Sequence, residues 1–205
     1  MKKRILILIL PMLLIGVSAA KAQGGLIIGA NMSNLYIDNV DDENSKIGIN
    51  VGLYNRWGAP AGVGIRHELL YSQKGAAATY DNFLQGSGHY RFNLNYIKMP
   101  VMLSVKAGPL DIHAGPYFGL LVGANVKDVD SDGNINQIAE LDRDDFNTVD
   151  YGAALGFSLG FTGGHIDLRY NYGMREIGKD GSFAGQATEN AKNSALTLSL
   201  GLGLN

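Results

Sequence analysis

The 205-residue chain contains no cysteine and few charged residues. The missing cysteine excludes a disulfide-stapled scaffold, a thiolate zinc site, a cysteine nucleophile and a lipid-modified N-terminal cysteine. Charged residues make up 18% of the chain and the mean hydropathy is +0.01, which excludes a charge-rich disordered chain and a protein with many membrane-spanning helices. The 28 glycines argue against long helices, because glycine costs about 1 kcal/mol relative to alanine in a helix interior.

The first 22 residues have the pattern of a secretory signal peptide. Three basic residues precede an apolar run at 5–17, and Ala20 and Ala22 form a small-x-small cleavage site. The run is short for a membrane-spanning helix, and Pro11 interrupts it. We predict cleavage after Ala22 and one domain at 23–205, outside the cytoplasm. An uncleaved N-terminal anchor is the alternative.

The predicted mature chain is acidic. Four of the 17 basic residues and none of the 19 acidic residues lie in the signal segment, so 13 basic and 19 acidic residues remain, a formal charge of −6. Nucleic acid attracts basic surfaces. We therefore expect no nucleic-acid partner.

Apolar and small or polar residues alternate with a period of two along the rest of the chain. Leu196, Leu198 and Leu200, for example, are separated by Thr197 and Ser199, which is typical of a strand with two different faces. No later segment has eighteen consecutive apolar residues, so no helical span is expected. The alternation predicts eight strands, at 26–34, 47–54, 63–72, 97–106, 110–126, 150–161, 166–173 and 195–204.

The connections between these strands alternate between short and long. Short, turn-like connections lie at 58–62, 107–109 and 162–164, and long polar ones lie at 35–45, 74–89, 127–147 and 174–193. An up-and-down barrel has this layout, with tight turns at one rim and larger loops at the other.

The composition of the two strand faces indicates which one points outward. One face is rich in leucine, valine and phenylalanine, and the other is rich in glycine, serine and asparagine. A soluble lipocalin-like barrel would bury the apolar face and expose bare backbone, whereas an outer-membrane barrel turns the apolar face to lipid. We predict an all-β, eight-stranded antiparallel up-and-down transmembrane β-barrel; a soluble periplasmic binding barrel is a remote alternative. Aromatic residues near the strand ends fit interfacial belts: Tyr36, Trp57, Tyr71, Phe161, Tyr170 and Tyr172.

Five segments in order also resemble a known family. They are 68–75 (ELLYSQKG), 96–103 (YIKMPVML), 114–119 (AGPYFG), 150–156 (DYGAALG) and 168–174 (LRYNYGM). Together they are similar to the PorT-like family of small outer-membrane β-barrels in Gram-negative bacteria. The resemblance implies location and architecture. One family member is tied to a protein-secretion machine, but the resemblance assigns no functional residues.

Eight charged residues fall on the predicted inner face, four of each sign. In a narrow barrel, buried charges of opposite sign are expected to pair and fill the lumen. The alternative is a narrow, selective ion path. The residues are Arg66, Glu68, Lys98, Lys106, Asp111, Asp150, Asp167 and Arg169.

One loop resembles part of a calcium site. The segment 128–135 (DVDSDGNI) places oxygen ligands at alternate positions before a glycine. The closing glutamate should fall at Ala139, but Glu140 lies one residue beyond it. A polar extracellular loop is the favoured interpretation, and we predict no metal site.

Catalysis and cofactor binding have no support in the residue pattern. The histidines are His67, His89, His113 and His165. His67, His113 and His165 have no serine two positions away, and His89, which follows Ser87 by two, lies in a predicted loop rather than on a strand face. No glycine-rich phosphate loop precedes a helix. We expect neither catalytic residues nor cofactors.

The sequence thus predicts a non-enzymatic, monomeric outer-membrane barrel. Its expected partners are outer-membrane lipid, lipopolysaccharide and the outer-membrane assembly machinery. The long loops would carry adhesion, ligand binding or contact with an extracellular or secretion-machinery partner, or the barrel would support the envelope structurally. A narrow porin-like transport channel is the main alternative.

Overall fold

A computed structural model describes residues 23–36, 46–59, 61–82, 86–130, 135–140, 146–178 and 192–204. The predicted signal peptide lies outside these residues, so its cleavage stays a prediction. The strands are β1 (Gln23–Tyr36), β2 (Lys46–Gly58), β3 (Gly62–Asn82), β4 (Gly86–Ala107), β5 (Leu110–Asp130), β6 (Ile135–Glu140), β7 (Val149–Phe161), β8 (Gly164–Glu176) and β9 (Lys192–Gly203).

Eight of these strands close into a barrel. β1 pairs with both β2 and β9, and the pairing of β4 with β5 completes the ring β1-β2-β3-β4-β5-β7-β8-β9. Every pairing is antiparallel. Closure leaves no open edge in the ring, so its backbone groups pair within the protein. The predicted eight-stranded up-and-down barrel is confirmed.

The three predicted short turns lie at one end of the barrel. They connect β2 to β3, β4 to β5 and β7 to β8, and they share this end with the first residue of β1 and the last of β9. Gly108 and Gly163 have φ values of 60° and 86° in two of these turns. Glycine adopts this left-handed conformation without steric cost.

The long connections are shorter than predicted, because strands extend into them. β3, β4 and β5 have 21, 22 and 21 residues, whereas the other barrel strands have 12 to 14. The predicted loop 74–89 is therefore a hairpin, paired from Lys74↔Leu94 to Asn82↔Gly86. The alternation of apolar and polar residues stops where the strand no longer needs an apolar face, but backbone hydrogen bonding between the strands continues. The sequence pattern therefore underestimated the length of these strands.

The predicted loop 127–147 also contains a strand. β6 pairs with the outer part of β5, from Asn125↔Glu140 to Val129↔Ile135, while the inner part of β5 pairs with β7. β6 is thus a ninth strand outside the barrel ring. The β3–β4 hairpin beyond Lys74 and the β5–β6 hairpin are called the outer hairpins below.

The two faces of the strands differ in burial as predicted. Leu155 and Leu198 are 60% and 56% exposed, while their neighbours Ala154 and Thr197 are buried. Each of the eight ring strands has large apolar side chains that are exposed, among the residues that the structure describes. A soluble protein rarely exposes apolar surface on this scale. The face pattern therefore excludes the soluble-barrel alternative.

The inner face gains one apolar residue at an irregularity. The β4–β5 register shifts between Asn95 and Tyr96, where Asn95 pairs with Gly123 and Tyr96 with Leu121. The extra residue changes the direction of the side chains that follow it. Leu121 is buried by the regular alternation, and beyond the shift Ala124 is buried as well. In the parts of the chain that the structure describes, no helix is long and apolar enough to cross a membrane.

Candidate functional site

Four of the eight predicted inward charges meet in one cluster across the lumen. Arg66 and Glu68 lie on β3, and Asp167 and Arg169 lie on β8. β3 and β8 are four places apart in the ring of eight strands, so they face each other across the full width of the lumen. We call these four residues the cross-lumen cluster.

Arg169 holds the cluster together through a two-pronged contact. Its Nη1 and Nη2 atoms donate to Oε2 and Oε1 of Glu68, both at 2.7 Å, and Nη2 also donates to Oδ1 of Asp167 at 3.0 Å. Paired N–H donors match carboxylate geometry and fix the orientation of both groups. This contact is therefore a rigid bridge between opposite walls.

Arg66 closes the cluster from the other side. Its Nε donates to Glu68 Oε1 at 2.7 Å, and its Nη1 lies 3.4 Å from Asp167 Oδ2. Ser158 donates to the same Asp167 oxygen at 2.8 Å, and His113 Nε2 lies 3.1 Å from it. All of these side chains are buried, so each charge of the cluster has an opposite charge and hydrogen-bond partners.

Two more predicted charges pair with residues that the sequence analysis missed. Asp150 Oδ2 accepts from Lys74 Nζ at 3.0 Å, and Asp111 Oδ2 lies 3.4 Å from Arg56 Nε. Lys74 fell in a predicted loop and Arg56 lay beyond the predicted end of β2. The extended strands place both side chains inside the barrel, which only continued alternation past the predicted strand ends would have indicated.

The remaining two predicted charges do not join the cluster. Lys98 is buried between β4 and β8, with Nζ donating to Asn171 Oδ1 at 2.5 Å and lying 4.5 Å from the centre of the Tyr117 ring. Lys106 is half-buried near the turn after β4 and contacts Gln23 Oε1 at 3.4 Å. The expected network of eight is therefore a cluster of four, two separate pairs and two lysines held by neutral groups.

An apolar cap closes the lumen at the long-connection end. Leu94, Tyr96, Leu121 and Ala124 from the inner faces of β4 and β5 pack with Phe146 and Ile177, which lie in the segments flanking β7 and β8. We call these six residues the cap.

Asn147 ties the two capping segments together. Its Nδ2 donates to the carbonyls of Glu176 at 3.0 Å and Gly178 at 2.8 Å, and its backbone N–H donates to Ile177 O at 2.8 Å. Satisfying these backbone groups allows the cap to lie buried over the lumen. The lumen is thus filled by ion pairs in its middle and by apolar side chains at this end.

No metal-ligating group of residues is present in the described ranges. The calcium-like segment lies partly outside them, since residues 131–134 fall between β5 and β6. His67 faces outward, where its ring packs edge-on against Trp57 at 4.7 Å between centroids. This aromatic pair lies near the short-turn rim, as an interfacial position requires.

The closed ring, lipid-compatible outer face and filled polar lumen define an integral outer-membrane β-barrel. The sequence model of the outer membrane protein beta-barrel domain family matches residues 17–178. The chain belongs to this family and is located in the outer membrane. Its apolar outer face is the surface in contact with outer-membrane lipid.

Several solved structures are similar to this chain. Ail, the attachment invasion locus protein of Yersinia pestis, in complex with the heparin analogue sucrose octasulfate, is 12% identical, with 89% of this chain and 99% of that chain covered and a TM-score of 0.47. Neisserial surface protein A has the same identity and coverages and a TM-score of 0.49. Outer Membrane Protein W of E. coli is 10% identical, with coverages of 89% and 98% and a TM-score of 0.35. No curated protein matches the chain.

Proposed function

We propose that this protein is a non-enzymatic, non-conducting barrel that anchors a binding surface, formed by the outer hairpins, in the outer membrane. The barrel acts as a monomer inserted by the outer-membrane assembly machinery. Its partner is an extracellular ligand, lipopolysaccharide or a component of a secretion machine. One member of the PorT-like family, which this chain resembles, is tied to such a machine. The observation that carries the absence of conduction is the bridge between Arg169 and Glu68, which joins opposite walls of the lumen.

The length of the outer hairpins supports a role outside the membrane. A tilted strand crosses a bilayer with about 9–11 residues. β3, β4 and β5 exceed this by roughly ten residues each, about 33 Å of additional strand at 3.3 Å per residue. Bilayer crossing does not require this extension. A paired ladder makes it a defined platform, on which binding costs less ordering entropy than on a mobile loop.

The orientation follows the rule for bacterial barrels, with short turns in the periplasm and long connections outside. Single cysteines test it cleanly, because the chain has no cysteine of its own. Ser87→Cys lies on β4 near the tip of an outer hairpin, and the matched Thr162→Cys lies in the exposed turn between β7 and β8. We expect a membrane-impermeant maleimide to label the first variant on intact cells and the second only after the outer membrane is permeabilised.

The same variants test the binding role. In cells whose surface adhesion depends on this protein, coupling a bulky maleimide to Ser87→Cys should abolish adhesion, because it covers the proposed surface. Thr162→Cys treated in the same way on intact cells should keep it. Labelling of Thr162→Cys but not of Ser87→Cys on intact cells would show that the orientation is the reverse of the proposed one. Full adhesion after labelling at position 87 would show that this hairpin is not part of the binding surface.

A narrow pore is the second candidate, favoured by one observation. Polar side chains line the lumen, and a cavity opens into it from the short-turn end. Conduction requires a continuous path past the cross-lumen cluster and the cap. The two candidates differ in whether the wild-type protein conducts ions.

A further inference from the structure

The cavity at the short-turn end has features of a binding site. It has a volume of about 470 Å³ and is open at this rim. Small-molecule sites occupy about 300–1,000 Å³ and combine apolar walls with a few placed polar groups. Neither the cap nor the outer hairpins reach it. We call this cavity the vestibule.

The charges of the vestibule favour an anion. Its lining contains three cationic side chains, Arg56, Arg66 and Lys106, and one carboxylate, Asp111. Arg56 is fully engaged, with Asp111, with Ser104 Oγ at 2.9 Å and with the carbonyls of Ala59 and Gly62 at 2.7 and 2.8 Å. Arg66 is paired with Glu68 and Asp167. The uncompensated positive charge of the vestibule therefore rests on Lys106.

Lys106 is the cation best placed to meet a ligand. It is half-buried at the rim, and its ammonium contacts only a neutral amide oxygen, Gln23 Oε1, at 3.4 Å. Within the described part of the chain it forms no ion pair. A lysine ammonium has three donors and binds phosphate or carboxylate as a point charge. Two of these donors remain available to a ligand.

The far wall of the vestibule is rigid and partly aromatic. Arg66 Nη2 lies 3.1 Å from His165 Nε2, and its guanidinium carbon lies 5.5 Å from the centre of the Tyr54 ring. Tyr54 and His165 meet edge to face at 4.8 Å. These contacts hold the Tyr54 ring in place at the vestibule wall, which suits an anion that also carries an apolar or planar part.

The mouth of the vestibule is open. Gly108 and Gly163 line it in exposed turns, and a methyl group added at either residue would meet nothing within 4 Å. We propose that the vestibule binds a small organic anion, whose carboxylate or phosphate group contacts the Lys106 ammonium. The orientation proposed above makes the source periplasmic, but binding itself does not depend on that orientation.

Calorimetric titration of the folded barrel in detergent micelles with phenyl phosphate tests this site. We expect saturable binding that is about tenfold weaker in Lys106→Gln, the loss typical of one charge-assisted hydrogen bond. Lys192→Gln is the matched control, because it removes the same charge at the opposite end of β9 from the vestibule. Phenol, the neutral analogue, should bind at least tenfold more weakly than phenyl phosphate.

Three results would overturn the proposal. They are no saturable binding by the folded wild-type protein, equal weakening in the two lysine variants, and equal binding of phenol and phenyl phosphate. Heat-modifiable mobility on a gel shows that each variant is folded before titration. A reversed orientation in the cysteine-labelling experiment would change only the compartment that supplies the anion.

Discussion

The two faces of the same strand follow different rules in this barrel. On β8, Arg169 is buried and bonded to two carboxylates, while the next residue, Tyr170, is 49% exposed on the outer face. Lipid is a uniform solvent that accepts many apolar side chains. The lumen is narrow, so each inner residue has particular neighbours. Sequence specificity therefore lies on the inner face, and hydrophobicity alone suffices on the outer one.

The largest expected difference between the faces is at Arg169. Arg169→Met leaves Glu68 and Asp167 buried, each without one of its two arginine partners, and breaking a buried pair costs about 3–5 kcal/mol. We expect a loss of that size in the free energy of unfolding, measured by urea denaturation in lipid vesicles. Tyr170→Phe, one residue away on the outer face, should change it by less than about 0.5 kcal/mol. Equal losses of stability in the two variants would contradict the claim that the inner face is more sensitive to substitution than the outer face.

A glycine provides the next comparison. A Cβ atom at Gly156 would lie 2.7 Å from both His113 Nε2 and the carbonyl oxygen of Leu168. Gly156→Leu should therefore overpack the lumen, at about 1–3 kcal/mol, and lower the fraction that reaches the folded, heat-modifiable form. Leu155→Val removes one methylene from a side chain that is 60% exposed and should cost less than about 0.8 kcal/mol. Equal assembly yields would contradict the inward assignment of position 156.

The smallest expected effect is at Lys98, and it separates the contribution of charge pairing from that of burial. Lys98 is as buried as Arg169, yet its ammonium contacts an amide oxygen and a ring. Lys98→Met leaves no buried carboxylate without a partner. The stability lost with the hydrogen bond is offset by the removal of a desolvated charge. We expect a change of less than about 1 kcal/mol in the same urea assay. A loss as large as that of Arg169→Met would mean that charge pairing is not what distinguishes the inner residues.

The alternation of residues predicted the barrel and its faces well, because both depend on the period of two. It placed Glu68, Asp167 and Arg169 in the lumen, but spacing along a strand does not reveal partners across the ring. Pairing depends on which strands lie opposite each other, and this follows only from closure of the eight-stranded ring.

The parts that the sequence did not predict lie where alternation fades. Lys74 entered the lumen because β3 continues past Ser72. Phe146 and Asn147 close the long-connection end from a segment with no strand pattern. Outside the membrane band, backbone pairing and side-chain caps need no apolar periodicity. Such features depend on tertiary contacts, which single-chain patterns do not encode.

Single-channel recording in planar bilayers tests the central claim most directly. A lumen bridged by Arg169 and Glu68 and covered by the cap should give no steady conductance from purified, folded wild-type protein. Steady, reproducible single-channel currents from that protein would contradict the account and establish the narrow pore instead.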